Sequence, residues 1–273
     1  MLRTLDRLAR NRTEGAHGLA TAALSALDRA GRRWQRSRPS DLRRRAAAVA
    51  RALRRFPPAM GVFTRWSEEW DRWAAPRAAR LTPRRVLAWT RHWQHRLDQE
   101  LPRILRVARD RLPRHGEVLT ISRSRTVRQV LASARGPRRP RKVVVLESRP
   151  GGEGRTLARE LRRADLVVEL IPDREGSARA SRADLLLIGA DSIFVDGSVL
   201  HKVKTRSLAL AAQRAGVPVV VAAGTAKFVP YRRSVRRISS WFDRTPARAI
   251  REYWTDRGRI PRAGWVRRSR AFR

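Results

Sequence analysis

The sequence predicts an α/β protein in which a helical amino-terminal domain, residues 1–112, precedes a parallel-sheet domain, residues 113–273. Two observations carry this prediction. Residues 1–112 place apolar side chains at helical spacing, whereas after Glu117 short apolar runs alternate with helical segments. Continuous β-branched runs suit strands buried on both faces, and strand–helix alternation indicates a doubly wound parallel sheet. The length of 273 residues allows each domain its own core.

The helical domain is predicted from leucine and alanine spacing and from its breaks. Ala16–Ala30 has the periodicity of an amphipathic helix. Ser40 is a predicted N-cap for a second helix, Asp41–Arg55, which a Pro-Pro pair ends. Pro102 predicts a kink or a break in the last helical segment, Pro83–Leu112.

Tryptophans recur at helical spacing in this domain. They are Trp66, Trp70, Trp73, Trp89 and Trp93. An aromatic stripe of this kind is typical of helix packing rather than of a base-stacking platform. His92 and His95 share a helix, but no cysteine or nearby carboxylate accompanies them, so we expect packed or solvated histidines and no metal.

Five runs in the second domain predict strands, and four segments between them predict helices. The strands are Val118–Ile121, Val143–Leu146, Leu166–Ile171, Leu185–Ile188 and Val217–Ala222. The helices are Ser124–Ala134, Glu153–Arg163, Arg174–Arg182 and Thr205–Ala215. The chain after Phe228 is less regular, with a helix predicted near Ala247–Thr255.

The composition bounds the classes of function. The net charge of +39 arises from 63 Lys and Arg against 24 Asp and Glu, and only four of the basic residues are lysines. The positive potential of such a chain attracts polyanions, so we expect non-specific contact with RNA. A simple bias toward arginine is the alternative explanation of the charge. No run of apolar residues is long enough to span a membrane. We expect a soluble cytoplasmic protein without a secretory signal, and no disulfide, because the chain has no cysteine.

Polar residues follow the ends of the predicted strands. They are Ser122, Arg149, Asp191, Asp196, His201, Lys202, Thr205 and Lys227. In open α/β sheets the ligand lies at this edge. The turn containing Gly151, Gly152 and Gly154 opens a helix, where backbone N–H groups favour a phosphate, and Arg149 adds a fork of donors. The turn matches neither a Walker loop nor a dinucleotide fingerprint.

Three segments resemble, in the right order, the family of the translation initiation factor 2B alpha, beta and delta subunits. They are ESRPGGEGRTLARELRRADLVVELIPD, GADSIFVDGSVLHKVKTRSLALAAQRAGVPVVVAAGTAKF and FDRTPARAIREYWTDRGRIP. LTISRSRTVRQVL is similar to the first-strand loop of the family, and GAHGLATAALSAL and FPPAMGVF are similar to its helical domain. The family includes methylthioribose-1-phosphate isomerase and ribose-1,5-bisphosphate isomerase.

This resemblance implies a helical domain on a Rossmann-like domain, and a homodimer formed through the latter. In the isomerase branch, a loop cysteine and the aspartate of GAD share the proton transfers of an aldose–ketose isomerisation. The aspartate matches Asp191, and the cysteine position falls on Ser122. The Asn-Gly turn, the Asn-Lys pair and the Gly-Thr pair of the family fall on Asp196-Gly197, His201-Lys202 and Lys204-Thr205.

Three hypotheses follow. The preferred one is a regulatory, non-catalytic pocket for a sugar phosphate or a nucleoside monophosphate, with Asp191 on the sugar hydroxyls. Arg149, the Gly151–Gly154 turn, Lys202, Thr205 and Lys227 would hold the phosphate. The second is an isomerase in which Asp191 is the general acid/base and Ser122 or a water its partner. It ranks lower because a serine without an adjacent base replaces a thiol poorly. The third is an RNA- or ribosome-associated protein. None requires a cofactor or a metal.

Overall fold

The computed structural model describes residues 1–11, 15–75, 81–230 and 240–272. It divides into two compact units, Met1–Gln99 and Glu100–Arg273. The domain boundary predicted between residues 112 and 113 stays a prediction. No helix among the described residues is long and apolar enough to cross a membrane.

The first unit is helical. Its helices are α1 (Leu2–Arg10), α2 (Ala16–Arg33), α3 (Pro39–Leu53), α4 (Gly61–Ala74) and α5 (Pro83–Ala108), the last of which continues into the second unit. Trp66 and Trp70 are fully buried, and the indoles of Trp89 and Trp93 donate to Glu69 Oε2 at 2.5 and 3.2 Å. The tryptophan stripe is therefore helix-packing core, as its spacing predicts.

The structure corrects one predicted helix cap and one of the two alternatives predicted at a proline. Ser40 is not the N-cap of α3, because the helix begins at Pro39 with Arg38 as its N-cap, and proline is favoured at the first helical position. Of the kink or break predicted at Pro102, the break does not occur, since α5 runs through the proline, and the kink stays a prediction. Ile104, two residues beyond, is buried in the core of the second unit, and this packing outweighs the hydrogen bond that proline removes.

The second unit is built on a seven-stranded sheet. Its strands are β1 (Glu117–Thr120), β2 (Lys142–Leu146), β3 (Val168–Ile171), β4 (Leu185–Ile188), β7 (Val219–Ala222), β10 (Glu252–Thr255) and β11 (Gly258–Pro261), in the spatial order β11-β10-β7-β4-β1-β2-β3. All neighbours are parallel except β10 and β11. The order reverses between β1 and β4, where the carboxyl ends of the strands open a crevice for ligands.

Helices cover both faces of this sheet. They are α6 (Arg125–Ser133), α7 (Glu153–Arg162), α8 (Gly176–Ala180), α9 (Thr205–Arg214) and α10 (Trp265–Ser269). Leu157 of α7 lies in one buried cluster and Leu208 of α9 in the other. The strands are therefore apolar on both faces, which explains their continuous apolar runs.

Two helix predictions in this unit need correction. The helix expected near Ala247–Thr255 is wrong: a 3-10 turn over Ala247–Ala249 leads into β10, which joins β7. Tyr253 and Trp254 are buried in the two different clusters, so alternation across the sheet decides the conformation. The predicted Arg174–Arg182 helix is only a 3-10 turn followed by the short α8.

A second, four-stranded sheet was not predicted. Its strands are β5 (Ser192–Phe194), β6 (Val199–Lys202), β8 (Phe228–Val229) and β9 (Phe242–Thr245), in the order β8-β5-β6-β9. Strands β5 and β6 form a hairpin whose Gly197 has φ +82°. The Tyr253 hydroxyl donates to the Gly197 carbonyl, so the hairpin that follows Asp191 is anchored to the main sheet.

Candidate functional site

The loops after β1 and β2 meet at the carboxyl edge of the main sheet. Ser122 and Ser148 both adopt left-handed backbone conformations, with φ of 69° and 67°. The Ser122 N–H donates to Ser148 Oγ at 2.7 Å. The N–H groups of Ser148 and Arg149 donate to the two carboxylate oxygens of Asp173 at 2.7 and 2.8 Å. This network fixes two strained loops, which indicates a preorganised site.

Glu153 lies at the centre of the site. Its Oε1 accepts a hydrogen bond from Ser122 Oγ at 3.1 Å, and Lys202 Nζ lies 2.9 and 3.1 Å from its two carboxylate oxygens. The Lys202 side chain is only 4% exposed, and its ammonium lies 4.5 Å from the ring centroid of Trp241. A buried lysine therefore has both an ion-pair partner and an aromatic face.

Close packing places Glu153 there. A Cβ at Gly154 would lie 1.7 Å from the Leu146 carbonyl oxygen, so α7 can approach β2 only with glycine at this position. Glu153 is the first residue of α7. The glycine that lets the helix pack closely on the strand therefore also positions the Glu153 carboxylate.

Asp191 follows β4 in the same edge. Its N–H donates to the Leu200 carbonyl at 2.8 Å, which holds the loop on β6. The pKa of Asp191 is raised to about 6, chiefly by burial; Lys227 lowers it, Glu153 raises it and Lys202 lowers it. The carboxyl group therefore changes protonation close to neutral pH, as a general acid/base requires.

His201 is buried beside this edge. Burial first, and then the charges of Lys227 and Lys202, lower its pKa to about 3, so the imidazole is neutral. Thr205 Oγ1 donates its proton to the Lys202 carbonyl at 2.6 Å. We therefore assign the 3.2 Å contact between His201 Nδ1 and Thr205 Oγ1 as a donation by the histidine, which leaves Nε2 as an acceptor.

Lys227 completes the cluster. Its Nζ donates to the Ala190 carbonyl at 2.7 Å, next to Asp191. The structure thus brings together six of the residues predicted from the sequence. They are Ser122, Asp191, His201, Lys202, Thr205 and Lys227.

Other predicted residues have different partners. The Arg149 side chain is 68% exposed and contacts Glu147 at 3.3 Å. Asp196 accepts from Ser198 in the β5–β6 turn and pairs with Arg244 at 2.8 Å. These contacts assign Asp196 to holding the hairpin.

Two backbone N–H groups of the glycine turn, Gly151–Gly154, donate to carbonyls within the same loop. The N–H groups of Gly152 and Gly154 donate to the carbonyls of Ser148 and Glu147 at 3.0 and 3.2 Å. Two of the amides expected to cradle a phosphate therefore hold the turn. A Cβ at Gly151 would lie 3.0 Å from the Trp241 ring, so this glycine lets the indole approach the loop.

Lys204 and Asp243 organise the start of α9. Lys204 has φ +80°, a conformation that favours glycine, and its Nζ donates to Asp173 Oδ2 at 2.9 Å. Asp243 accepts from the Arg206 N–H at 3.1 and 3.2 Å and so takes the place of an N-cap side chain. Burial, the largest cause, raises the pKa of Asp243 to about 6.

Sequence reasoning missed the roles of Glu153, Trp241, Asp173 and Asp243. Glu153 was marked only by its place at a helix start after a glycine turn, and Trp241 and Asp243 by the WFD triplet. Among the residues that the structure describes, no group of three or more His, Asp or Glu could hold a metal ion.

Comparison with known proteins gives this arrangement a context. Residues 12–238 match the model of the Initiation factor 2 subunit family. A ribose 1,5-bisphosphate isomerase of Haloterrigena turkmenica is 32% identical over 233 residues, which are 83% of this chain and 69% of that protein. A putative translation initiation factor eIF-2B subunit 2-like protein of Pyrococcus horikoshii is 34% identical over 155 residues, 52% of this chain and 56% of that protein.

Solved structures share the fold. The translation initiation factor eIF-2B of Pyrococcus horikoshii OT3 superposes with a TM-score of 0.82 at 26% identity, covering 95% of this chain and 96% of that chain. The 5-methylthioribose 1-phosphate isomerase from the same organism gives a TM-score of 0.68 at 18% identity, covering 99% and 86%. The predicted fold class, a helical region followed by a mostly parallel sheet, is confirmed.

Proposed function

The chain belongs to the Initiation factor 2 subunit family, and we propose that it binds a phosphorylated sugar or a nucleoside monophosphate at the carboxyl edge of its main sheet. The observation that carries the proposal is the convergence of Lys202 and Lys227 on Asp191, beside the Ser122–Glu153 contact. Lysines are point charges suited to phosphate, and a carboxyl group suits sugar hydroxyls.

Binding and protonation are coupled at this site. A phosphate drawn to Lys202 and Lys227 adds negative charge near Asp191, whose pKa of about 6 then rises further. The protonated carboxyl group donates a hydrogen bond, and the ionised one accepts. We therefore expect both forms of Asp191 to be populated near neutral pH when a phosphosugar is bound.

The test is a thermal-shift titration with ribose 1,5-bisphosphate, methylthioribose 1-phosphate and adenosine monophosphate. A ligand at 100 times its Kd stabilises the folded state by about 2.7 kcal/mol. Lys227→Met should reduce the ligand-induced shift. Lys142→Met removes a lysine from the opposite end of the sheet, where Lys142 contacts Glu169 at 2.9 Å, and should leave the shift intact. If no phosphorylated compound raises the Tm, the proposal fails.

Aldose–ketose isomerisation is the second candidate function. Two observations favour it: the pKa of Asp191 near 6 and the 32% identity to a protein named ribose 1,5-bisphosphate isomerase. The test is turnover of ribose 1,5-bisphosphate and methylthioribose 1-phosphate at high enzyme concentration. Binding without turnover would leave a regulatory pocket, which is the preferred hypothesis from the sequence. The predicted homodimer and RNA contact stay predictions.

A further inference from the structure

We propose that Glu153, acting through the hydroxyl of Ser122, moves the oxygen-bound proton of an aldose–ketose isomerisation, while Asp191 moves the carbon-bound proton. This inference rests on the second candidate function above, and it concerns the same site. The motivating observation is the contact of 3.1 Å between Ser122 Oγ and Glu153 Oε1. A carboxylate therefore stands beside the serine that occupies the position of the isomerase cysteine.

The hydrogen bonding orients the serine for this task. The Ser122 hydroxyl donates to Glu153 Oε1, so its single proton lies on the line to Glu153. The lone pairs of Ser122 Oγ remain to accept a proton from a substrate hydroxyl. The backbone of the residue is fixed by its N–H bond to Ser148 Oγ at 2.7 Å.

The carboxylate of Glu153 is held in a fixed position, as the serine is. Lys202 lies within 3.1 Å of both oxygens, and its side chain is 4% exposed. Trp241 lies against the ammonium on another side. Glu153 is 21% exposed, and its contacts with Ser122 and Lys202 hold its carboxylate in one geometry.

Two protons must move in this reaction, and one group cannot carry both at once. The test substrates are sugar 1-phosphates, whose anomeric oxygen carries the phosphate, so the ring oxygen is the group that leaves C1. Asp191 removes the proton from C2; the C2–H pair becomes the C1=C2 bond of an enol, and the C1–O pair moves to the ring oxygen. The C2 hydroxyl gives its proton to Ser122 Oγ as the Ser122 proton passes to Glu153. That O–H pair forms the C2=O bond, and the C1=C2 pair takes the proton from Asp191 at C1. Glu153 then returns its proton through Ser122 to the ring oxygen, which becomes a hydroxyl.

The relay also answers the objection that a serine is a weak replacement for a thiol. A hydroxyl is a poor acid and a poor base by itself, and an adjacent base removes this limitation. Glu153 is that base. Asp191 is occupied by the carbon proton at the stage when the oxygen proton has to move, so Ser122 and Glu153 act at a different atom of the substrate.

The experiment compares Ser122→Ala, Glu153→Gln and the double variant in turnover of ribose 1,5-bisphosphate. Each single variant should lower kcat by about 10²- to 10⁴-fold, the usual contribution of a positioned acid or base, with little change in KM. Because the two groups form one relay, the double variant should lose no more than the worse single variant. Ser122→Cys should keep turnover in the presence of Glu153→Gln, because a thiol needs no partner to transfer a proton.

The matched control is Glu160→Gln. Glu160 lies on the same helix, is 20% exposed and pairs with Arg123, the neighbour of Ser122. Glu160→Gln should keep normal kcat. This result would show that the loss of an ion pair next to the loop does not by itself lower turnover. The Tm of every variant is measured alongside.

Three outcomes overturn the relay. Independent losses that multiply in the double variant would show two separate roles, and a Glu153→Gln variant with full kcat would remove Glu153 from the reaction. A wild-type chain that binds phosphosugar without turnover overturns the relay and leaves the binding function standing. A chain whose Tm no phosphorylated compound changes overturns the binding function itself.

Discussion

The two ends of the main sheet both hold ion pairs, but they use them differently. At the amino end, Arg179 makes a bidentate contact with Glu117 at 2.6 and 2.7 Å and contacts Glu169 at 2.9 Å. Lys142 contacts Glu169 at 2.9 Å and Glu117 at 3.3 Å. The hydrogen bond with Lys142 lowers the pKa of Glu169, and the hydrogen bond with Glu117 raises the pKa of Arg179. Both of these pKa shifts favour the charged forms.

At the carboxyl end the shifts run the other way. Burial raises the pKa of Asp191 to about 6 and lowers that of His201 to about 3. Both shifts favour the neutral forms; Lys202 and Lys227 oppose the rise in the pKa of Asp191 and add to the fall in the pKa of His201. One end of the sheet therefore uses charge to hold its strands, while the other keeps a protonation change within reach of neutral pH. Groups of the second kind cluster at functional sites.

The largest expected effect comes from Asp191→Asn. If the chain is an isomerase, this variant should lose about 10²- to 10⁴-fold in kcat, because the amide cannot take up the carbon proton. Steady-state turnover of ribose 1,5-bisphosphate measures it. Asp184→Asn is the control: Asp184 precedes β4 at the amino end and accepts from the Glu117 N–H at 2.7 Å. An Asp191→Asn variant with normal kcat would show that Asp191 does not act in catalysis, and the two ends of the sheet would then not differ in function.

The next largest effect is on stability at the amino end. Arg179→Met leaves Glu117, whose side chain is 9% exposed, with Lys142 as its remaining cation. We expect a loss of about 2 to 3 kcal/mol in the free energy of unfolding, somewhat less than for a fully buried pair. Urea denaturation measures this loss, and the ligand-induced Tm shift should be unchanged.

Arg174→Met is the matched control for that experiment. The Arg174 side chain is 82% exposed and lies 3.6 Å from Glu175, so its removal should change the free energy of unfolding by less than about 0.5 kcal/mol. Equal losses in the two variants would mean that the amino-end network does not stabilise the sheet.

The pH dependence of stability gives a smaller effect. Asp191 has a folded pKa of about 6, above the unfolded value of about 3.9, so the folded state binds more protons between these values. The free energy of unfolding should therefore fall as the pH rises from about 4 to 6, by about 2 kcal/mol from this residue. Urea denaturation of wild type and Asp191→Asn should give curves that meet near pH 4, diverge between pH 4 and 6 and stay apart above pH 6, with the variant more stable. Parallel curves would refute the raised pKa.

The smallest effect is expected for Arg149→Ala. The side chain is 68% exposed and pairs with Glu147, so the free energy of unfolding should change by less than about 0.5 kcal/mol. The Kd of a phosphosugar should change by less than about threefold, whereas the sequence predicted a phosphate contact. A tenfold loss of affinity, measured by calorimetric titration, would show that Arg149 contacts the ligand.

Much of the fold could be predicted from the sequence because the patterns that specify its strands and helices are local. The five predicted strands all occur, since a strand buried on both faces has to be a continuous apolar run. Strand β10 was missed because Glu252 and Thr255 flank its two aromatic residues and an alanine-containing segment precedes it. The β5–β6 hairpin was missed because its strands have only three and four residues.

Local sequence patterns are enough to predict that Asp191 lies just past a buried strand and that Ser122 and Lys202 follow other elements toward the same edge. The chemistry of these residues depends on contacts that the folded chain makes. Glu153 reaches Ser122 across 31 residues and Lys202 across 49, and local spacing does not encode such contacts. The pKa of Asp191 depends on burial and on charges from separate strand ends, because desolvation is a property of the packed molecule.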